Sequence, residues 1–254
     1  MEKLVYFTAI FFVVIFLPIP VMLNEMRRET GAYIAVLKSI LAVGIATMII
    51  FMIAKAAGEP VGQTMYKAGS TAIENLLGDS ALSQSLGISQ LSAIEQKSFL
   101  SALYTQSSQV IPAFILILAS IISYFEYKIL ARITRVDGKP VKRLPKFREF
   151  SMPGSAIFGW CLIFALAYIA SHTSLASDGV LLANVESLFL FFFSMQGLST
   201  ILMFFYTKRI PTILTVLVVI FVLGNTVGEI VMFLLGLFDL TFHFKDRLLL
   251  NNKR

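Results

Sequence analysis

Glu229 is the residue of this chain best placed to do chemistry. It lies inside a long apolar stretch, Ile210–Leu240, with Asn225, Gly224 and Gly228 close by. An acid at the centre of a bilayer costs roughly 3 kcal/mol on insertion scales, and such residues ordinarily face a protein interior or an aqueous cavity. The glycines and Asn225 beside it give the pattern of a broken helix, in which freed backbone groups meet a ligand. The competing reading is that Glu229 pairs with Lys38, or bonds to helix ends, and fixes packing. A second polar group lies on another segment. Gln196, Ser199 and Thr200 share one face at i, i+3 and i+4, beside Gly197. That stripe implies contact with another helix and not with lipid. Lys38 sits two turns into its own segment, where it either snorkels to the inner surface or lines a site. The candidate ligand-binding set is Glu229, Asn225, Gln196 and Lys38.

A different constellation occupies the stretch from Lys128 to Pro153. Among its eight basic residues are Arg135, Lys142, Arg143, Lys146 and Arg148, opposed only by Asp137 and Glu149. A basic loop between apolar segments orients a membrane protein. It can also bind anionic lipid or a partner on the cytoplasmic side, so these five are candidate contacts. This loop carries much of the net charge of +6, which therefore does not point to nucleic acid.

Enzyme templates are missing. The sequence has no HExxH, no GxSxG, no P-loop and no suitably spaced pair of histidines. The expectation is that the chain is not an enzyme, holds no metal and needs no cofactor. Active transport would then require a separate ATPase chain or an ion gradient. The single cysteine, Cys161, lies in an apolar run beside Trp160 and reads as a packed or lipid-facing thiol.

These residues must be positioned by membrane helices. Hydrophobic residues make up 57% of the 254 positions and charged residues 14%, against about 25% charged in a soluble domain. With several apolar runs near 20 residues, the class is all-α, a polytopic transmembrane helix bundle forming one membrane domain. The expected spans are about 4–23, 31–54, 110–129, 154–171 and 184–206. The sixth apolar segment, 210–240, would be about 45 Å long as one helix, against a hydrocarbon core of about 30 Å. It is expected to break near 224–229 and to return to the inner face. Pro18 and Pro20 should bend or end the first span. Residues 56–108 are expected outside the membrane, with short amphipathic helices over Ala68–Leu77 and Leu91–Tyr104. Residues 130–152 are expected to form the cytoplasmic loop of a bacterial inner-membrane protein.

At Leu144-Pro-Lys-Phe-Arg-Glu-Phe-Ser-Met-Pro153 the chain resembles the YybS-like family of uncharacterised bacterial multi-pass membrane proteins. Phe16-Leu-Pro-Ile-Pro20 and Leu235-Gly-Leu-Phe-Asp-Leu-Thr-Phe-His-Phe-Lys-Asp-Arg247 extend the resemblance over most of the sequence. The family is similar in outline to the S components of energy-coupling-factor transporters. That likeness implies an S-component-like bundle with a small-molecule pocket, as an analogy at the level of fold. The expected function is a small-solute-binding component of a membrane transport system, in contact with lipid and with separate membrane or ATPase subunits. The alternative is a non-transporting membrane scaffold or assembly factor that holds a partner through the basic loop.

Overall fold

The computed structural model describes residues 2–58, 90–136, 138–173 and 179–251. Among them the fold is helical throughout, apart from a hairpin of two short strands. Contacts within the chain divide it into two units, Met1–Arg143 and Leu144–Arg254.

In the first unit, α1 (Glu2–Phe16) and α2 (Pro18–Arg27) form one membrane-length passage, followed by α3 (Ala32–Ala56). The prolines do not end the first span. Pro18 takes the first position of α2, where its missing N–H costs nothing, and the chain only bends at Leu17. Helix α4 (Ala93–Gln109) runs almost directly into α5 (Ile111–Ile133). Helices α1, α3 and α5 meet around Ile10, Val14, Val43 and Ala119, all buried. After α5 come β1 (Arg135–Val136) and β2 (Lys139–Pro140), paired antiparallel. The hairpin is tied back to α5 by Tyr127, whose fully buried ring donates its hydroxyl hydrogen to the carbonyl of Lys142 at 2.8 Å.

Helix α4 overlaps the stretch Leu91–Tyr104, where an amphipathic helix is expected; it begins two residues later, ends five residues further on, and buries Leu100 alone. It starts with a capping box, in which the Glu95 N–H donates to Ser92 Oγ and the Ser92 N–H donates to Glu95 Oε2 at 2.8 Å. The helix expected over Ala68–Leu77 lies outside the described residues.

The second unit contains a single 3-10 turn at Phe147–Glu149, then α6 (Ala156–Ser171) and α7 (Val180–Thr207). It ends with α8 (Thr212–Leu223), α9 (Thr226–Phe242) and α10 (Phe244–Asn251). Helix α6 has 16 residues, about 24 Å, which is short for a full crossing. Among the described residues, four passages are long and apolar enough to span a membrane: residues 5–27, α3, α5 and α7. The α8–α9 pair makes a fifth if it is taken as one broken span.

The break in the last apolar segment falls at Gly224 and Asn225, where the chain bends by 104°. Two local features make it. Asn225 caps α9, its Oδ1 accepting the Val227 N–H at 2.8 Å. Gly228 lets the first turn of α9 lie on the last turn of α8, since a Cβ there would fall 2.2 Å from the Val222 carbonyl oxygen. Helices α7 and α9 cross at similarly close range. A Cβ on Gly197 would lie 1.8 Å from the carbonyl oxygen of Met232, and one on Gly236 would lie 1.9 Å from that of Phe193. Small residues at a membrane helix crossing bring backbones together in this way. Around the crossing, Trp160, Phe164, Phe189, Phe193 and Phe233 pack edge-on or tilted against one another.

Candidate functional site

The polar centre of the second unit is built on α7. The glycine-mediated crossing places Gln196, fully buried, against the C-terminal part of α9. There Gln196 Nε2 donates to Asp239 Oδ2 at 2.6 Å. Immediately after Asp239 the helix ends at His243, which adopts the left-handed conformation (φ 53°) and turns the chain into α10. That turn returns Lys245 to Asp239. The Lys245 N–H donates to Asp239 Oδ1 at 2.9 Å, and its Nζ lies 3.2 Å from Oδ2. Both side chains are more than nine-tenths buried.

The rest of the polar shell comes from the chain just before α6. Lys245 Nζ also donates to the Phe150 carbonyl and to Ser199 Oγ, the latter at 3.2 Å. Ser199 Oγ donates to the same carbonyl at 2.8 Å. The Met152 N–H donates to Gln196 Oε1 at 3.0 Å. Asp239 thus accepts from three donors and Lys245 Nζ donates to three acceptors. A buried ion pair is tolerable only when its remaining hydrogen-bonding capacity is met in this way. A cavity of about 240 Å³ borders the pair, lined by Asp239 and Lys245 with Glu149, Ser151, Met152 and His243 among others. It offers the Glu149 carboxylate, the Ser151 hydroxyl and the His243 ring within one small space, which suits hydrogen bonding to a compact polar molecule.

The sequence-derived ligand set is not brought together. Gln196 lies in the polar centre. Asn225 is exposed and occupied in capping, and Glu229 is exposed on the first turn of α9. Glu229 stands ten residues from Asp239, about 15 Å along the helix axis. Lys38 belongs to the first unit, where its Nζ meets Glu25 Oε2 at 2.7 Å; its partner is Glu25 and not Glu229. The residues that sequence reasoning passed over are Asp239 and Lys245. Asp239 is also an acid in that apolar stretch, but it stands near the end of the run.

The basic-loop candidates divide as well. Arg135, Lys142 and Arg143 are exposed in the first unit, and Lys146 is exposed in the second. Arg148 is half-buried, with its guanidinium 3.4 Å from the centroid of the Tyr206 ring, so it packs the 3-10 turn onto α7. Cys161 is exposed. Among the described residues, no three His, Cys, Asp or Glu side chains are grouped to hold a metal ion.

The chain belongs to the predicted membrane protein family DUF2232, which it matches over residues 4–240. Over 136 residues it is 26% identical to the uncharacterised protein YybS of Bacillus subtilis (strain 168). That match covers 54% of this chain and 44% of YybS, so the chain spans less than half the length of this relative. No solved structure matches the chain. The likeness to energy-coupling-factor S components has no counterpart among these matches.

Proposed function

We propose that this membrane protein is a solute-binding component of a transport system and takes its solute at the cavity beside Asp239 and Lys245. The observation that supports this reading is the polar space of about 240 Å³ set against a buried, fully hydrogen-bonded ion pair. Drug-sized sites run from roughly 300 to 1,000 Å³, so the solute would be a compact polar molecule. Glu149, Ser151 and His243 would contact it, while Gln196, Ser199 and the Asp239–Lys245 pair hold the wall. An ATPase or other membrane subunit would be a separate chain. The positive-inside tendency supports a bacterial cytoplasmic membrane with residues 130–152 on the cytoplasmic side.

The test is a thermal-shift screen of small polar solutes on the full chain in nanodiscs, repeated on Ser151→Trp, which fills the cavity without touching the ion pair. A solute that raises the melting temperature of the parent and not of the variant supports the reading. A hit that shifts both alike, or a panel with no hit on the parent, sinks it.

The scaffold reading has its own support in Lys142, Arg143 and Lys146, which are exposed and have no ion pair among the described residues. On that reading, changing all three to Gln abolishes crosslinking to a membrane partner while Ser151→Trp leaves it intact.

A further inference from the structure

We infer that the second unit carries a site for an anionic phospholipid, separate from the polar cavity. An elongated groove of about 480 Å³ runs between α7, α8, α9 and α10. Its wall is apolar, with Phe204 from α7, Val218 from α8 and Leu235 from α9. Helix α10 supplies the remaining side. Phe244, Arg247 and Leu248 fall at i, i+3 and i+4, so one face of this helix presents two apolar side chains and one cation to the groove. Lys245 projects from the adjoining face into the buried polar centre. The same short helix therefore closes one site and borders the other.

The geometry of the break explains why the groove exists. Helix α8 bends 104° away from α9 and buries none of its own residues, so it does not close over the last turns of α7. What fits the opening follows from its chemistry. The apolar slot suits an acyl chain. The cations at its rim suit a phosphate. Arg247 lines the groove, and Lys208 Nζ lies 6.0 Å from the ring centroid of Phe204, one of the wall residues. Among the described residues, neither of these two cations is paired with a carboxylate. Basic pockets between membrane helices bind anionic head groups for this reason. A free phosphate would use the cations but not the slot, and a zwitterionic lipid would use the slot while gaining little from the cations.

The experiment places the full chain in nanodiscs of mixed phosphatidylglycerol and phosphatidylcholine and counts retained lipid by native mass spectrometry after gentle release. The expected result is preferential retention of phosphatidylglycerol. Arg247→Gln should lower that preference about fivefold, the effect of one cation near an anionic head group. Arg247→Lys should keep most of it. Val218→Trp, on a helix with no buried residue, should remove retention of both lipids. Folding of each variant is verified by its elution volume, and the Lys substitution controls for a structural role of Arg247. Equal retention of the two lipids by the parent overturns the proposal. So does a preference unchanged by Arg247→Gln, or one that inorganic phosphate competes away. Because none of these changes touches the residues of the polar cavity, a failure here leaves the solute reading standing, and the reverse holds too.

Discussion

Each unit of this protein holds an acid–lysine pair, and the two pairs are built to opposite designs. In the first unit Glu25 is buried, but the Lys38 side chain keeps 46% of its surface exposed. Four methylenes carry its charge outward, and the pair stays partly hydrated. In the second unit both partners are closed off, the Lys245 side chain to 7% and that of Asp239 to 2%. The difference shows in their company. Among the described residues, Lys38 has Glu25 as its one polar partner, whereas Asp239 and Lys245 together recruit Gln196, Ser199 and the backbone at Phe150. A half-open pair can leave its remaining valences to solvent or head groups. A closed pair must find every one of them in the protein, so it organises the chain around itself.

Breaking the closed pair should have the largest effect. Lys245→Met leaves the Asp239 carboxylate buried and uncompensated, and should cost about 3–5 kcal/mol. Reversible unfolding in mixed micelles measures it. Adding Asp239→Leu should recover part of that loss, because a matched apolar pair is far less costly than a lone buried charge. If the double variant is worse than the sum of the singles, the pair is not the closed unit described. Next in size is Gly236→Ala, whose new Cβ would press on the Phe193 carbonyl. Pushing α7 from α9 should cost about 1–3 kcal/mol and loosen the Gln196–Asp239 bond, read as faster amide exchange at Met152. Lys38→Gln should be milder, with a loss that shrinks as salt is added to the parent, since the exposed lysine is screened. A salt-independent loss would place this pair with the closed one.

The smallest effect concerns a third carboxylate, fully open. Hydrogen bonds from the Ser92 side chain, and then from the Ser92 backbone N–H, hold the Glu95 carboxyl below its ordinary value. Its contribution to the start of α4 is therefore present above the ordinary glutamate range and disappears as pH falls through the lowered folded value. Amide exchange at residues 92–96 should accelerate only on that acidic side, and Glu95→Gln should flatten the dependence.

The hinge was readable in the sequence because Gly224, Asn225 and Gly228 interrupt an apolar run too long for one crossing, and Asn225 and Gly228 each have a local physical job there. The stripe Gln196-Ser199-Thr200 was readable because helical spacing gathers those residues on one face. Its partner was not. The bond from Gln196 to Asp239 joins positions 43 apart, and no local pattern encodes which of two acids on the same helix will meet it. Glu229 drew the assignment because it sits in mid-segment, where an acid is most costly. Asp239 stands near the end of the apolar run, where a charge passes as interfacial. The stretch 144–153 read as a topological signal through its basic side chains, yet its structural contribution includes the carbonyl of Phe150 and the N–H of Met152. Backbone groups leave no mark in residue types.

The contact between Lys245 and the Phe150 carbonyl spans 95 residues, and this has a consequence for how the protein is made. Helix α6 ends at Ser171 and can be delivered to the bilayer before Lys245 is made, whereas α9 ends only three residues ahead of that lysine. Until it emerges, Asp239 has no counter-charge and Phe150 lacks the ammonium donor. The second unit is therefore completed from its late end, by one residue that arrives after nearly everything it fastens. A released chain truncated short of position 245 would hold its helices without a latch, in a state open to quality-control proteolysis.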